Sequence, residues 1–188
     1  PRHVEQVFAA CAQGLQRRAD QGLPLAGVRA VASLFVSRVD TLADTLLPAG
    51  AEALCGELGI ANARQAYATW LDRFGGSDFA ALRAAGARAP LCLWASTGVK
   101  NPAWRDTRYV EALIGPDSVN TVPDATLAAF ADHGEVARTL DTALPQAAAT
   151  LAAAARFGID LNELGERLQA EGLLQFEQAF ERLLQSVA

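Results

Sequence analysis

The chain has 188 residues, a formal net charge of −5 and 51% apolar residues, enough for one domain with a substantial core. The acidic balance argues against a sequence-independent grip on nucleic acid, which needs clustered cations, and no apolar run approaches the roughly 18–20 residues that span a bilayer. Cys11, Cys55 and Cys92 are widely spaced and are joined by only two histidines, His3 and His133, so neither a zinc site nor a disulfide framework is suggested.

Each cysteine lies among apolar neighbours and reads as a small buried hydrophobe. That fits a reducing cytoplasm, and no secretory signal is visible. The chain opens on Pro1 and contains no methionine, a hint that the polypeptide begins further upstream.

Val4, Val7, Phe8, Cys11 and Leu15 recur at helical spacing and predict a helix from Pro1, which suits a first turn, to about Gly22. Pro24 and Gly27 break it. Residues 28–39 form a β-rich run in which Ser33 and Phe35 share one face and Leu34 and Val36 the other. Apolar residues on both faces predict burial on both sides, as in a parallel sheet covered by helices. Asp40 or Thr41 is expected to cap a short helix through Leu47. After a break at Pro48–Gly50, a long helix runs from Ala51 or Asn62 to Phe74, with Ala63, Ala66, Tyr67, Trp70, Leu71 and Phe74 on its core stripe.

Gly75-Gly76-Ser77 turns the chain into a brief helix ending near Ala85. A second strand spans 88–95, followed by a helix over 105–114 and a turn at Gly115-Pro116-Asp117. A third strand covers 118–122, and Pro123-Asp124 opens a helix to His133. The remainder, from Val136, reads as helical with breaks at Pro145, Gly158 and Gly172. Strands alternate with helices and none are close enough for a hairpin, an α/β pattern with parallel strands. Three such strands leave two open edges, so the pattern reads as part of a closed barrel rather than a whole fold.

The chain's single lysine, Lys100, stands against fifteen arginines. It follows the apolar run Leu91–Ala95 and the turn Ser96-Thr97-Gly98. A cation on a hydroxyl-rich loop at the C-terminal end of a buried strand is where α/β proteins place anion-binding groups. The competing reading is a solvated surface lysine.

The segments VASLFVSRVD (31–40), LWASTGVKNP (93–102) and YVEALIGPDSVNTVPDATLAAFADHG (109–134), with the ending EGLLQFEQAFERLLQSVA, resemble the C-terminal half of bacterial transaldolases. The longer form, found alone or fused to a phosphoglucose isomerase, is the most similar. The resemblance implies a (β/α)8 barrel that moves a dihydroxyacetone unit from a ketose phosphate to an aldose phosphate, in the non-oxidative pentose phosphate pathway. The chemistry would use a lysine Schiff base and neither metal nor cofactor. Residues 1–188 would be the C-terminal portion of that single barrel, carrying strands six, seven and eight. The nucleophilic lysine and its acidic partners would lie upstream, in an N-terminal half outside this sequence, leaving no catalytic residue in this segment.

Lys100 is a poor substitute for that nucleophile. A Schiff-base lysine must be partly neutral near pH 7, and a hydroxyl-lined turn past a strand end favours the charged form. By resemblance the phosphate site takes Arg38, Ser96 and, as the cation after strand seven, Lys100. Shorter family members carry an arginine closer to that serine. Arg38 has a salt bridge to Asp40 or Asp44 as its alternative role. Ser33 and Phe35 match positions facing the barrel mouth, where Ser33 would bond substrate hydroxyls and Phe35 either joins it there or only fills a barrel layer. Trp94, two residues before Ser96, either fills a barrel layer or lines the sugar pocket. The expected geometry puts Ser33, Phe35, Trp94 and Ser96 on one interior face. A second reading is an inactive truncated fragment that acts as an interaction module or half-barrel partner.

Overall fold

The computed structural model describes residues 2–187. Helix α1 (Arg2–Asp20) buries Val4, Phe8 and Leu15 along one side, as their spacing requires. Strand β1 (Val31–Phe35) follows, then α2 (Ser37–Asp44), a 3-10 turn at Glu52–Leu54 and α3 (Leu58–Trp70), extended by a π-helical turn at Leu71–Gly75. After α4 (Ala80–Ala84) come β2 (Leu91–Ala95), α5 (Arg108–Glu111), β3 (Ser118–Asn120), α6 (Asp124–His133), α7 (Leu144–Arg156) and α8 (Leu161–Val187).

The strands form one parallel sheet in the order β1-β2-β3, as the α/β alternation predicts. β1 is shorter than the β-rich run because Val36 already has helical φ and ψ and Ser37 starts α2. No side chain caps α2, and Asp40 is buried inside it instead. The helix expected over 105–114 is confined to Arg108–Glu111. Gly158, at φ 81°, does break the helices. Gly172 does not, and α8 runs straight through it. A glycine in a helix costs about 1 kcal/mol, which neighbouring good helix formers offset.

One face of the sheet is covered. Ala32, Cys92 and Trp94 pack with Phe8, Tyr67, Trp70 and Phe74 from α1, α3 and the π-turn. Tyr67 stacks on Trp70 at 5.6 Å between ring centres, Phe74 meets Phe8 and Phe79 edge-on, and Trp70 Nε1 donates to Pro90 C=O at 2.6 Å. A second apolar cluster joins Leu42, Leu58, Ala154 and Leu164, pinning α7 and the start of α8 to α2 and α3. Beyond that anchor, Leu173, Phe176, Phe180, Leu183 and Val187 of α8 lie exposed at helical spacing along one stripe. Of the three cysteines Cys92 is buried, Cys11 half-buried and Cys55 exposed, which corrects the expectation for Cys55. Among the described residues no helix is long and apolar enough to cross a membrane.

Candidate functional site

The C-terminal ends of β1 and β2 are tied together residue by residue. Val36 N–H donates to Ala95 C=O at 2.9 Å and Ser37 N–H to Ser96 C=O at 2.8 Å. The Ser37 and Ser96 hydroxyl oxygens lie 2.8 Å apart. Thr97 Oγ1 donates to Asn120 Oδ1 at 2.7 Å, and Thr121 N–H donates to Trp94 C=O at 3.0 Å. A seam of hydroxyls and amides therefore runs across all three strand ends. Ser96 sits in it with φ 57°, a left-handed turn for a residue that is not glycine.

Arg38 follows Ser37 directly and is exposed, with its guanidinium carbon 4.4 Å from the centre of the Phe35 ring. Among the described residues no carboxylate is within ion-pair distance of Arg38. The salt bridge to Asp40 or Asp44 does not form. Asp40 Oδ1 instead accepts the Gly59 N–H at 2.6 Å and its Oδ2 the Tyr109 hydroxyl at 2.8 Å, while Asp44 accepts the Gly56 N–H. Lys100 is also exposed, on the turn four residues past Ser96. An aromatic-backed guanidinium and a partly exposed hydroxyl at adjacent strand ends make a surface able to accept an oxyanion.

Trp94 is in the wrong place for that surface. Register pairs Leu34 with Trp94 and Ser33 with Leu93, and paired residues of a parallel sheet point to the same side. Trp94 therefore shares the helix-covered face with Ala32 and Leu34, opposite Ser33 and Phe35, and is wholly buried. The expectation of one interior face holding Ser33, Phe35, Trp94 and Ser96 is corrected: Trp94 is on the other face, and Ser96 lies past the end of β2 in its left-handed turn. Ser33 and Phe35 remain together on the open face, and with Ala32 and Leu34 of the covered face they line a cavity of about 350 Å³ between α1, β1 and the start of α8.

Behind this surface Asp40 forms a buried junction. Burial pushes its carboxyl up to about 6, against the pull of the Gly59 and Tyr109 hydrogen bonds, with Asp44 adding repulsion and Arg108 opposing it. The Tyr109 hydroxyl is raised by burial and then by Asp40. α3 comes close here only because residue 59 is glycine: a Cβ would lie 2.5 Å from Val36 C=O and 2.9 Å from Asp40 Oδ2.

Residues 3–187 match the transaldolase/fructose-6-phosphate aldolase family over almost the entire chain. The chain belongs to that family. A transaldolase of Neisseria meningitidis is 51% identical over 179 residues, covering 95% of this chain and 50% of the relative. A transaldolase of Thiobacillus denitrificans is 46% identical over 188 residues, 98% of this chain and 52% of its own. Transaldolase 1 of Streptomyces coelicolor is 47% identical over 187 residues, 97% and 49% respectively. The chain thus spans about half the length of the curated transaldolases it matches.

Two residues beside the family's expected anion ligands were not foreseen. Ser37 touches Ser96, and Asp40 ties α2 to α3 and α5. The one signal for Ser37 was its position next to Arg38, in a run whose alternation pointed to strand. Asp40 carried a polar signal, which led to a cap or a salt bridge rather than a buried junction.

Proposed function

We propose that this chain is the phosphate-binding portion of a transaldolase barrel of (β/α)8 type, with β1, β2 and β3 as its sixth, seventh and eighth strands. In that barrel Arg38 and Ser96 hold the substrate phosphate, and Lys100 adds a charge at the rim. Ser33 bonds a substrate hydroxyl, and Phe35 forms the wall beneath Arg38. The observation that carries the reading is the junction of Ser96 with Ser37, one residue from Arg38, at the C-terminal ends of adjacent parallel strands. Catalytic groups of such barrels gather at that rim.

The substrate is a sugar phosphate, and the reaction is transfer of a dihydroxyacetone unit between ketose and aldose phosphates. A charged anchor at one end of the sugar fixes the distance of its carbonyl from a nucleophile held elsewhere, which is the entropic part of catalysis. The nucleophilic lysine belongs to polypeptide outside this sequence. The free edge of β1, with Val31 and Phe35 exposed, and the apolar stripe of α8 support a covering partner of that kind.

The test is trapping with borohydride. The 188-residue chain with fructose 6-phosphate is expected to give no reduced adduct, whereas the complete barrel gives one on a lysine outside this segment. A stable three-carbon adduct on Lys100, found by peptide mass mapping, would overturn the assignment. The second reading, an inactive fragment acting as an interaction module, draws on the α8 stripe. It gains if the purified polypeptide has the intact mass of this chain alone and remains untrappable beside a complementary half.

A further inference from the structure

Ser37 lies between the two residues assigned to the phosphate, beside Arg38 in sequence and against Ser96 across the strand ends. Ser96 is held at φ 57°, a left-handed conformation in which the Cβ of a non-glycine residue crowds the following carbonyl oxygen. Two contacts from Ser37 keep it there: a backbone N–H to the Ser96 carbonyl at 2.8 Å, and the hydroxyl pair at 2.8 Å. On the other side Thr97, wholly buried, is fastened to Asn120 at 2.7 Å. Ser37 is 1% exposed whereas Ser96 is partly open, so a ligand at the rim meets the Ser96 oxygen first.

One hydrogen joins the two hydroxyls, and its direction matters. If Ser96 donates it, Ser96 turns lone pairs toward the rim. If Ser37 donates it, the Ser96 hydrogen is free to point outward. A phosphate dianion accepts hydrogen bonds and cannot donate them, so it selects the second arrangement, in which the two bonds run in series and polarise one another. We infer that Ser37 is a positioning residue for the phosphate site: it holds Ser96 in its left-handed turn and donates to Ser96 Oγ, leaving the Ser96 hydrogen for the ligand. The inference rests on the proposed assignment of Ser96 to the phosphate.

The experiment is a double-mutant cycle in the complete enzyme, with inorganic phosphate as a competitive ligand and with phosphorylated and unphosphorylated donors compared. Ser37→Ala is expected to weaken inorganic phosphate about three- to tenfold, the range of one neutral hydrogen bond. The ratio of kcat/KM for fructose 6-phosphate to that for dihydroxyacetone should fall by a similar factor. In a Ser96→Ala background Ser37→Ala should add less than about twofold, since its target is gone. Ser37→Cys, close in size and a weak donor, carries the same expectation if the alanine variant does not fold. Full additivity of the two substitutions, or equal losses with both donors, overturns the inference and leaves Ser37 structural. If Ser96→Ala weakens phosphate and neither Ser37 variant does, the inference falls alone. If Ser96→Ala leaves phosphate binding unchanged, the phosphate assignment falls and takes the inference with it.

Discussion

The two faces of the sheet are made by alternate residues of the same strands and meet opposite surroundings. Ala32, Cys92 and Trp94 are at most 4% exposed beneath α1 and α3, while Val31 and Phe35, at alternate positions of β1, are 52% and 45% exposed. The covered face carries the aromatic cluster, and burial there pushes the Cys92 thiol up to about 12. The open face carries Ser33, Phe35 and, at its upper end, Arg38. Packing is concentrated on the first, and the proposed substrate contacts lie on the second. On the barrel reading the second face is closed by further strands, so it is a barrel interior rather than a solvent surface.

The sharpest way to break this contrast is truncation on each face. Trp94→Ala should cost about 3–5 kcal/mol, the usual loss for a large aromatic in a packed core. Phe35→Ala should cost about 1–2 kcal/mol in this chain, because Phe35 is 45% exposed and only part of its ring is removed from water. Urea denaturation of both variants is the measurement. In the complete protein the cost of Phe35→Ala should rise if the open face is covered as proposed; equal costs in the 188-residue chain would mean the faces are not different.

Next in size is the Asp40 junction. Asp40→Ala leaves the Gly59 N–H and Tyr109 O–H buried without their acceptor, at about 1–3 kcal/mol for each unsatisfied group. Asp40→Asn keeps an acceptor for Gly59 and should cost far less. The pH dependence follows from the raised carboxyl, about 6 in the native state against 3.8 in a free side chain. Between those values the native state holds the proton and the unfolded state does not, so the Asp40 contribution to stability falls as pH rises from about 4 to 6. Asp40→Asn should flatten that part of the curve. A wild-type minus Asn difference that rises with pH over the window would show a carboxylate stabilised in its charged form.

Parallel order and the end of β2 were legible in the sequence, because alternation marks strands and a switch to Ser, Thr and Gly marks where β2 stops; the end of β1 was not. Neither was Trp94. Period-two patterning says which residues of one strand share a face. It does not say which face of the next strand lies beside it, and a shift of one residue reverses the answer. Trp94 is apolar enough for either side, so nothing in its type decided. Ser37 and Asp40 were hidden for a related reason: the run over 28–39 continues in β-type residues after the backbone has entered α2, so the expected helix starts at Ser37 rather than at Asp40 or Thr41, and both residues lie inside it.

On the open face the largest effect should come from Arg38. In the complete enzyme Arg38→Ala should raise KM for phosphorylated substrates about ten- to a hundredfold, the value of a charge-assisted contact of about 1.5–3 kcal/mol. Unphosphorylated dihydroxyacetone should be affected far less. Steady-state kinetics with the two donors separates the outcomes, and equal losses would make Arg38 a structural residue.

The smallest expected effect tests whether the aromatic on the open face serves the cation above it. The Arg38 guanidinium stands 4.4 Å over the Phe35 ring, an arrangement worth about 0.5–1 kcal/mol at an exposed site. Phe35→Leu keeps an apolar side chain on the strand and removes the ring's negative face, so Arg38 loses its platform while the sheet keeps its packing. The affinity for inorganic phosphate should fall about two- to fivefold in the complete enzyme. The same substitution made in Arg38→Ala protein should change nothing further, since no cation remains to be held. A loss that persists without Arg38 would assign Phe35 to the sugar itself. It would then be a wall of the pocket, and the open face would bind substrate along its length rather than at the rim alone.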